Sequence, residues 1–219
     1  MKKILFIIGI GLIISGVQNK TMATTKKKLT NYQSKRNFSK TPEPSGKITK
    51  KKEKNKRIFV IQKHAASHLH YDFRLEINGV LVSWAVPKGP PTKVGEKHLA
   101  IMTEDHPMSY AQFEGIIPQG EYGGGTVMVW DYGTFNNIKT HNEKIVPIEQ
   151  SLKNGQVEVN LDGAKLKGNF ALIKFKKPDT KNEWLMIKMK DVPGTPKSKI
   201  NQRSALSKRT MQQIARENK

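Results

Sequence analysis

Short stretches that alternate between apolar and polar residues dominate the chain between Ile58 and Met189. The clearest alternation runs from His68 to Ile77, where every second residue is apolar and the others are charged or histidine. A period of two predicts a β-strand with one buried and one exposed face. The Asn78-Gly79 dipeptide that follows predicts a tight hairpin turn, and the apolar run Val80–Val86 predicts the return strand.

Further apolar runs follow at short intervals and are separated by Gly, Pro and Asn turns. Many short strands with little helical periodicity predict an all-β fold, either a barrel or a sandwich. Only Ile145–Leu152 and Ser204–Glu217 favour short helices. The additional predicted strands are Ile58–Ile61, Leu99–Thr103, Thr126–Asp131, Gln156–Leu161, Asn169–Phe175 and Trp184–Met189.

The charge of the chain narrows the choice of partners. Its 219 residues include 39 Lys and Arg against 18 Asp and Glu, a formal net charge of +21. Such an excess favours a polyanion, and nucleic acid ahead of lipid headgroups. The chain has no cysteine, which excludes a disulfide scaffold, a zinc ribbon and a thiol nucleophile. Any metal must be bound by His, Asp, Glu or backbone oxygen.

Composition divides the chain into four segments. Residues 1–22 contain an apolar run too short to span a bilayer as a helix; it fits either a secretory signal or a misassigned start, with Met22 as the true first residue. Residues 23–57 form a basic arm and linker, in which the stretch Lys47–Arg57 is either a solvated linker or an arm that follows phosphates. Residues 58–191 hold the predicted strands, and residues 192–219 form a basic tail.

The polar face of the strand from His68 to Ile77 carries His70, Asp72 and Arg74 in succession. His70 and Asp72 project from the same face about 7 Å apart. Together with His64 they form a set of two histidines and one carboxylate, which can bind a divalent cation and leave coordination positions open. Arg74 is suited to bind a phosphate with two hydrogen bonds. The alternative is an exposed strand in which Asp72 and Arg74 form a salt bridge and the histidines are incidental.

A metal beside a fixed cation is what phosphoryl transfer requires. Two other segments could contribute to a phosphate site of this kind. His106, in Glu104-Asp105-His106-Pro107, is suited to act as a general acid or as a hydrogen-bond donor to a phosphate. A turn with a capping Asp explains this segment equally well. The glycine-rich stretch Gly120–Thr126 lacks the Lys-Ser/Thr ending of a phosphate-binding loop. We interpret it as a turn that leads into a strand, with phosphate binding as the alternative.

Several of these stretches, in the same order, resemble the 3′-phosphoesterase domain of bacterial DNA ligase D. The resemblance covers roughly residues 29–191. The matching motifs are Gln62-Lys63-His64, Leu69-His70-Tyr71-Asp72-Phe73-Arg74-Leu75-Glu76, Ser83-Trp84-Ala85-Val86-Pro87-Lys88-Gly89-Pro90, Glu104-Asp105-His106-Pro107, Tyr110, Phe113-Glu114-Gly115 and Gly123 to Asp131, preceded in the arm by Lys35-Arg36-Asn37-Phe38 and Thr41-Pro42-Glu43-Pro44.

The resemblance implies a compact β-barrel with an active-site groove, a flexible basic N-terminal arm and a short C-terminal helical tail. It implies a Mn²⁺-dependent enzyme that removes a 3′-terminal ribonucleoside from DNA and then removes the remaining 3′-phosphate to leave a 3′-OH. Carried over residue by residue, His64, His70 and Asp72 are the metal ligands, and Arg74 and His106 contact the phosphate. Lys88, Glu104 and Tyr110 complete the catalytic set, and Arg36, Glu43, Gln62 and His98 bind substrate.

Two positions depart from the family pattern. Asn37 stands where the arm motif usually has aspartate, and His98 stands where an arginine is usual. His98 lacks the permanent charge and the planar fork of a guanidinium. We therefore expect slower phosphate removal rather than its loss.

The leading interpretation is an end-processing enzyme of double-strand-break repair. Nothing that resembles a ligase follows the domain, so we expect joining to require a separate DNA ligase and the Ku end-binding protein. One alternative is a basic DNA-end-binding module with weak or no catalysis. Another is an exported protein acting on a different phosphate ester, if residues 1–16 are a signal. We expect a cytoplasmic location, with export as the alternative, and no stable membrane partner unless residues 1–16 are retained.

Overall fold

Twelve strands account for most of the regular structure in a computed structural model, which describes residues 28–46, 57–175, 180 and 182–217. The signal or misassigned start predicted within residues 1–22 lies outside the described residues. The strands are β1 (Arg57–Ala65), β2 (Leu69–Ile77), β3 (Val80–Val86), β4 (Lys97–Met102), β5 (His106–Pro107), β6 (Gly115–Ile117), β7 (Gly125–Asn137), β8 (Thr140–His141), β9 (Lys144–Ile145), β10 (Gln156–Gly163), β11 (Lys167–Lys174) and β12 (Glu183–Lys188).

Eight of these strands close into an antiparallel β-barrel. The order around the barrel is β1-β2-β3-β4-β12-β11-β10-β7, and β7 completes the circle by pairing with β1. Strand β5 pairs with β3 and β6 pairs with β7, whereas β8 and β9 form a separate hairpin. The predicted all-β barrel is confirmed, and the strands predicted from alternation each lie within or overlap a strand of the structure.

The predicted Asn78-Gly79 hairpin is also confirmed. Asn78 and Gly79 have φ values of 56° and 76°, the left-handed backbone that a two-residue type I′ turn requires. This turn fixes the register of β2 against β3, so that Arg74 lies opposite Ser83.

Four short helices complete the described structure: α1 (residues 28–34), a 3₁₀ helix (Met108–Gln112), α2 (Ile148–Lys153) and α3 (Met211–Glu217). The helix predicted over Ile145–Leu152 begins three residues later, because the residue before Pro147 is disfavoured in helical backbone and Ile145 pairs within β9. Among the described residues, no helix is long and apolar enough to cross a membrane.

The predicted start of the C-terminal helix at Ser204 is wrong. Thr210 and Gln213 cap α3 reciprocally: the Gln213 amide donates to Thr210 Oγ1 (3.2 Å), and the Thr210 amide donates to Gln213 Oε1 (2.8 Å). This capping box fixes the first turn at Met211. Upstream, Ser204 Oγ accepts hydrogen bonds from the amides of Leu206 and Ser207, which holds that segment in a turn.

Apolar residues form two cores, one inside the barrel and one on its outer wall. The interior core is built around large, fully buried side chains such as Phe73, Trp84, Phe170 and Trp184. The second core, here called the outer cluster, joins the outer wall of the barrel to α1 and the 3₁₀ helix. Its buried members are Tyr32, Val60, Leu81, Tyr110, Phe113, Ile117, Val127 and Val129.

The alternation of β2 predicted a half-buried strand, but the polar face of the strand is buried as well. The outer cluster explains why. Asp72 and Arg74 lie on the polar face, yet they are only 6% and 3% exposed. Tyr110 of the 3₁₀ helix lies over the Arg74 guanidinium (5.0 Å), and Tyr32 of α1 packs against the ring of Tyr110. Elements distant in sequence therefore cover the polar face of β2 and bury its charges.

Candidate active site

Two neighbouring strands bring the three predicted metal ligands together. His64 near the end of β1 lies directly opposite His70 of β2, and Asp72 follows on the same face of β2. Their ligand atoms all lie within 4.8 Å of one another. His64 Nδ1 is 3.5 Å from Asp72 Oδ2, and His70 Nε2 is 3.6 Å from Asp72 Oδ1.

Backbone carbonyls fix which nitrogen of each histidine carries the proton. His64 Nε2 lies 2.9 Å from the Gly123 carbonyl, and His70 Nδ1 lies 2.9 Å from the His68 carbonyl. A carbonyl can only accept a hydrogen bond, so both of these nitrogens are donors. The lone pairs of His64 Nδ1 and His70 Nε2 therefore face Asp72, which is the arrangement that a metal ion needs. Two imidazoles and a carboxylate suit a divalent cation such as Mn²⁺, Fe²⁺ or Zn²⁺.

The Asp72 carboxylate is held in its charged form. Burial opposes ionisation, but the Arg74 guanidinium at 3.2 Å holds the pKa of Asp72 well below its usual range. An ionised carboxylate is the form that binds a cation, so this side chain is ready to act as a ligand.

Arg74 is fixed in place from three sides. Its Nε donates to Gln62 Oε1 (2.8 Å), and Gln62 Nε2 in turn donates to the carbonyls of Tyr110 and Phe113 (3.0 Å each). Its Nη2 donates to Asp72, and its guanidinium lies over the Tyr110 ring. Gln62 is completely buried. It therefore positions Arg74, and through it the charge available for a phosphate.

His106 lies between two guanidinium groups. Its Nδ1 is 2.9 Å from Arg74 Nη1 and 2.9 Å from the Glu104 carbonyl, and its Nε2 is 3.4 Å from Arg36 Nη2. Burial, reinforced by the charges of Arg74 and Arg36, holds the pKa of His106 well below its usual value. The ring is therefore neutral near pH 7.

We expect His106 to destabilise the fold at acid pH. In the unfolded chain its pKa is about 6.5 and in the fold it is well below, so the unfolded state takes up the proton first. Stability is therefore full above about pH 6.5 and falls below it by up to about 1.4 kcal/mol per pH unit. Urea unfolding of the wild type and His106→Gln between about pH 7.5 and about pH 5 measures this. The stability advantage of the wild type should shrink as pH falls, and a constant difference would contradict the prediction.

The arm forms one face of the site. Arg36 bridges two carboxylates, with Nε 2.9 Å from Glu43 Oε1 and Nη1 3.1 Å from Glu104 Oε1. Lys35 adds a second cation on Glu104 (3.1 Å). The Tyr110 hydroxyl donates to Glu43 Oε1 (2.9 Å). Residues 28–46 therefore pack on the barrel. The stretch 47–56, for which a solvated linker and a phosphate-binding arm were the two alternatives, lies outside the described residues.

Lys88 and His98 lie apart from this network. Lys88 follows β3 and its side chain is exposed. His98 lies on β4, with Nδ1 2.6 Å from the Gly89 carbonyl and Nε2 3.1 Å from Glu96 Oε1. Among the described residues, neither side chain forms a hydrogen bond or ion pair with another predicted site residue. Their roles in catalysis and substrate binding stay predictions.

The first departure from the family pattern, Asn37, has a local role. Its Oδ1 accepts hydrogen bonds from the Ser39 amide (3.1 Å) and the Ser39 hydroxyl (2.7 Å). An aspartate would make the same turn, so this substitution changes little in the arm.

Sequence reasoning missed several residues that line the site. Tyr122 Oη lies 3.3 Å from Lys35 Nζ, and its ring lies 5.3 Å from the Arg36 guanidinium. The glycine-rich stretch was interpreted as a turn that leads into a strand, which the structure confirms at β7, but its Gly123 carbonyl also orients His64. The other missed contacts are those of Tyr32 and Ser83 with His106, and of Thr41 with Glu43.

Comparison with known proteins gives a consistent assignment. The family model for the DNA Ligase D 3′-phosphoesterase domain matches residues 62–174. A multifunctional non-homologous end joining protein LigD of Pseudomonas aeruginosa is 45% identical over 167 residues, which is 76% of this chain and 19% of that protein. The corresponding DNA repair protein of Mycobacterium tuberculosis is 46% identical over 164 residues, 75% of this chain and 20% of its own length.

A third relative, the multifunctional non-homologous end joining protein LigD of Mycolicibacterium smegmatis, is 47% identical over 169 residues, 75% of this chain and 21% of that protein. The chain thus spans about a fifth of the length of these curated relatives. The similarity concerns one domain of each of them.

Proposed function

Because this chain belongs to the DNA ligase D 3′-phosphoesterase domain family, we propose that it is a metal-dependent phosphoesterase that heals the 3′ ends of DNA. The family supports hydrolysis of phosphate esters and a role in processing ends for non-homologous end joining. In our proposal the enzyme removes a 3′-terminal ribonucleoside and then the remaining 3′-phosphate, which leaves a 3′-OH. The observation that carries it is the convergence of His64, His70 and Asp72 beside the buried Arg74.

The chain's own residues supply binding and electrostatics. A bound divalent cation, Mn²⁺ in our proposal, would polarise the phosphoryl oxygens and activate water. Arg74 is already fixed by Gln62 and Tyr110, so it can stabilise negative charge on the phosphate without reorganising. His106 is neutral and lies between Arg74 and Arg36, which favours a role in spacing the two guanidinium groups over a role as general acid.

We also propose partners and a location on the basis of the relatives. Their names describe multifunctional non-homologous end joining proteins. We infer that this domain acts on DNA ends in the cytoplasm, with joining carried out by a DNA ligase and end recognition by Ku.

The proposal is tested on a primer–template DNA whose primer ends in one 3′ ribonucleotide. We expect the full chain with Mn²⁺ to convert the primer first to a product with a 3′-phosphate and then to one with a 3′-OH. EDTA and His64→Ala should each abolish both products, because EDTA removes the metal and the substitution removes one of its three proposed ligands. Binding of the DNA without any metal-dependent product would contradict the proposal and favour an end-binding module.

We expect His98→Arg to accelerate phosphate removal. A guanidinium at this position adds a permanent charge and two parallel donors, which a phosphate dianion binds better than an imidazole. We expect the rate of 3′-phosphate removal to rise about tenfold, which corresponds to the free energy of about one additional charge-assisted hydrogen bond. Rates of the two steps are compared on substrates that end in a ribonucleotide and in a 3′-phosphate. Unchanged rates in both steps would contradict this role of position 98.

A further inference from the structure

A basic segment beyond the part of the chain matched by the family model crosses the surface of the barrel. This segment, residues 197–209, is here called the C-terminal strap. It contains five basic residues and no acidic one. The basic residues are Lys197, Lys199, Arg203, Lys208 and Arg209.

The barrel holds the strap chiefly through main-chain atoms. Lys165 Nζ donates to the carbonyls of Asn201 (3.0 Å) and Arg203 (2.5 Å). Trp130 Nε1 donates to the same Asn201 carbonyl (3.0 Å), and the Ala205 amide donates to the Val129 carbonyl (2.9 Å). Because these contacts use the backbone, the exposed side chains of Lys197 and Lys199 are left for a partner. Arg203 and Lys208 are also exposed, although they donate to the carbonyls of Lys208 (3.3 Å) and Ala205 (2.8 Å).

The strap lies next to the strand that carries the first metal ligand. Lys63, the residue before His64, donates to Gln202 Oε1 (2.8 Å). Lys63 and Lys165 lie over the rings of Tyr71 (5.6 Å) and Trp130 (4.6 Å). Two cations of the barrel therefore join the exposed Lys199 and Arg203 of the strap on one surface.

Most of these positive charges have no ion-pair partner among the described residues; Arg209 of the strap is the exception and pairs with Glu114 (3.4 Å). The ion pairs formed in that part of the chain include none of Lys63, Lys165, Lys199, Arg203 and Lys208. Burial, partly offset by Asp131 and reinforced by Lys208 and Lys63, lowers the pKa of Lys165 to about 8. Like charges held together by the fold destabilise it, and such an arrangement is typical of a surface that binds an anion.

We propose that the C-terminal strap, with Lys63, binds the phosphate backbone of the DNA duplex that leads to the 3′ end. This inference rests on the proposed function. A duplex whose end occupies the candidate site must extend beyond it. The strap contacts β1 at Lys63, which adjoins His64 in sequence and projects from the opposite face of the strand. The contact would be independent of base sequence, since lysine and arginine on phosphates carry no sequence information.

The test compares two variants of equal charge change in the full chain. Lys199→Gln/Arg203→Gln removes two exposed cations from the strap. The control, Lys144→Gln/Lys153→Gln, removes two exposed cations from β9 and the end of α2. Helix α2 contacts Arg57 through Glu149 (3.4 Å), at the far end of β1 and about 20 Å along the strand from Lys63.

Binding to a primer–template duplex is measured by fluorescence anisotropy in EDTA, over a series of KCl concentrations. The strap variant should bind more weakly and lower the slope of log K against log[KCl] by about 1.8, or about 0.9 for each lost phosphate contact. The control should keep the slope of the wild type. Equal slopes for both variants would overturn the proposal.

A second variant tests the strap as an ordered surface. Lys165→Met removes the cation that binds two strap carbonyls, so we expect faster hydrogen exchange over residues 201–205 together with a reduced salt slope. Faster exchange with an unchanged slope would also overturn the proposal. Binding is measured without metal and is therefore separate from cleavage. If the wild type cleaves and its binding depends strongly on salt, but the strap variants have the same salt slope as the control, the strap proposal is rejected and the proposed function is left intact.

Discussion

Replacement of Asp72 by asparagine should lower hydrolysis of the 3′-phosphate by about 10³-fold or more. Asp72 supplies the one carboxylate of the candidate metal set and also neutralises Arg74 at 3.2 Å. Asparagine keeps the shape of the side chain but removes its charge, so both the affinity for a cation and the position of Arg74 should suffer. Activity with saturating Mn²⁺ and binding of Mn²⁺ by calorimetry measure the two effects separately.

Asp162→Asn is the matched control for this experiment. It makes the same chemical change at an exposed residue of β10 that pairs with Lys167, and it should leave activity and metal binding unchanged. Normal Mn²⁺ affinity in Asp72→Asn would mean that the three residues do not form a metal site. Normal activity with weakened Mn²⁺ binding would mean that hydrolysis does not depend on this site.

Replacement of Arg36 by alanine should lower the free energy of unfolding by about 3 kcal/mol. The Arg36 side chain is 4% exposed and pairs with Glu43 and Glu104, whose side chains are 0% and 3% exposed. Loss of the cation leaves two buried carboxylates, which is costly because neither can be hydrated. Lys35 still pairs with Glu104, and Tyr110 still donates to Glu43, so the cost should lie at the lower end of the range for a broken buried pair.

Lys40→Ala provides the comparison for an exposed arm residue. Lys40 lies 3.9 Å from Glu121 and its side chain is 66% exposed, so its loss should change stability by less than about 0.5 kcal/mol. Urea unfolding measures both variants. A loss for Arg36→Ala as small as that for Lys40→Ala would show that the arm does not depend on the buried ion pairs.

Arg36 also connects the arm to the chemistry of the site. Arg36 contacts His106 as well as Glu43 and Glu104, so its replacement removes one of the two guanidinium groups beside the site as well as the ion pairs of the arm. We therefore expect Arg36→Ala to lose activity under conditions in which it is still folded. The arm is then part of the catalytic unit even though the match to the family model begins at residue 62.

The sequence by itself predicted the barrel strands and the metal set, because both depend on neighbours along the chain. Period-two alternation identifies a strand from its own residues, and Asn78-Gly79 sets the turn that pairs β2 with β3. His64, His70 and Asp72 lie within nine residues on two paired strands. Local spacing was therefore enough to place them together.

Only the tertiary structure decided which charges are buried and what holds them. The Arg36–Glu104 pair joins residues 68 positions apart, and the carbonyl that orients His64 comes from Gly123, 59 positions away. The alternation of β2 predicted a solvated polar face, but the arm and the 3₁₀ helix cover it. A sequence pattern reports the faces of one element, whereas burial depends on which distant elements pack on those faces when the barrel closes.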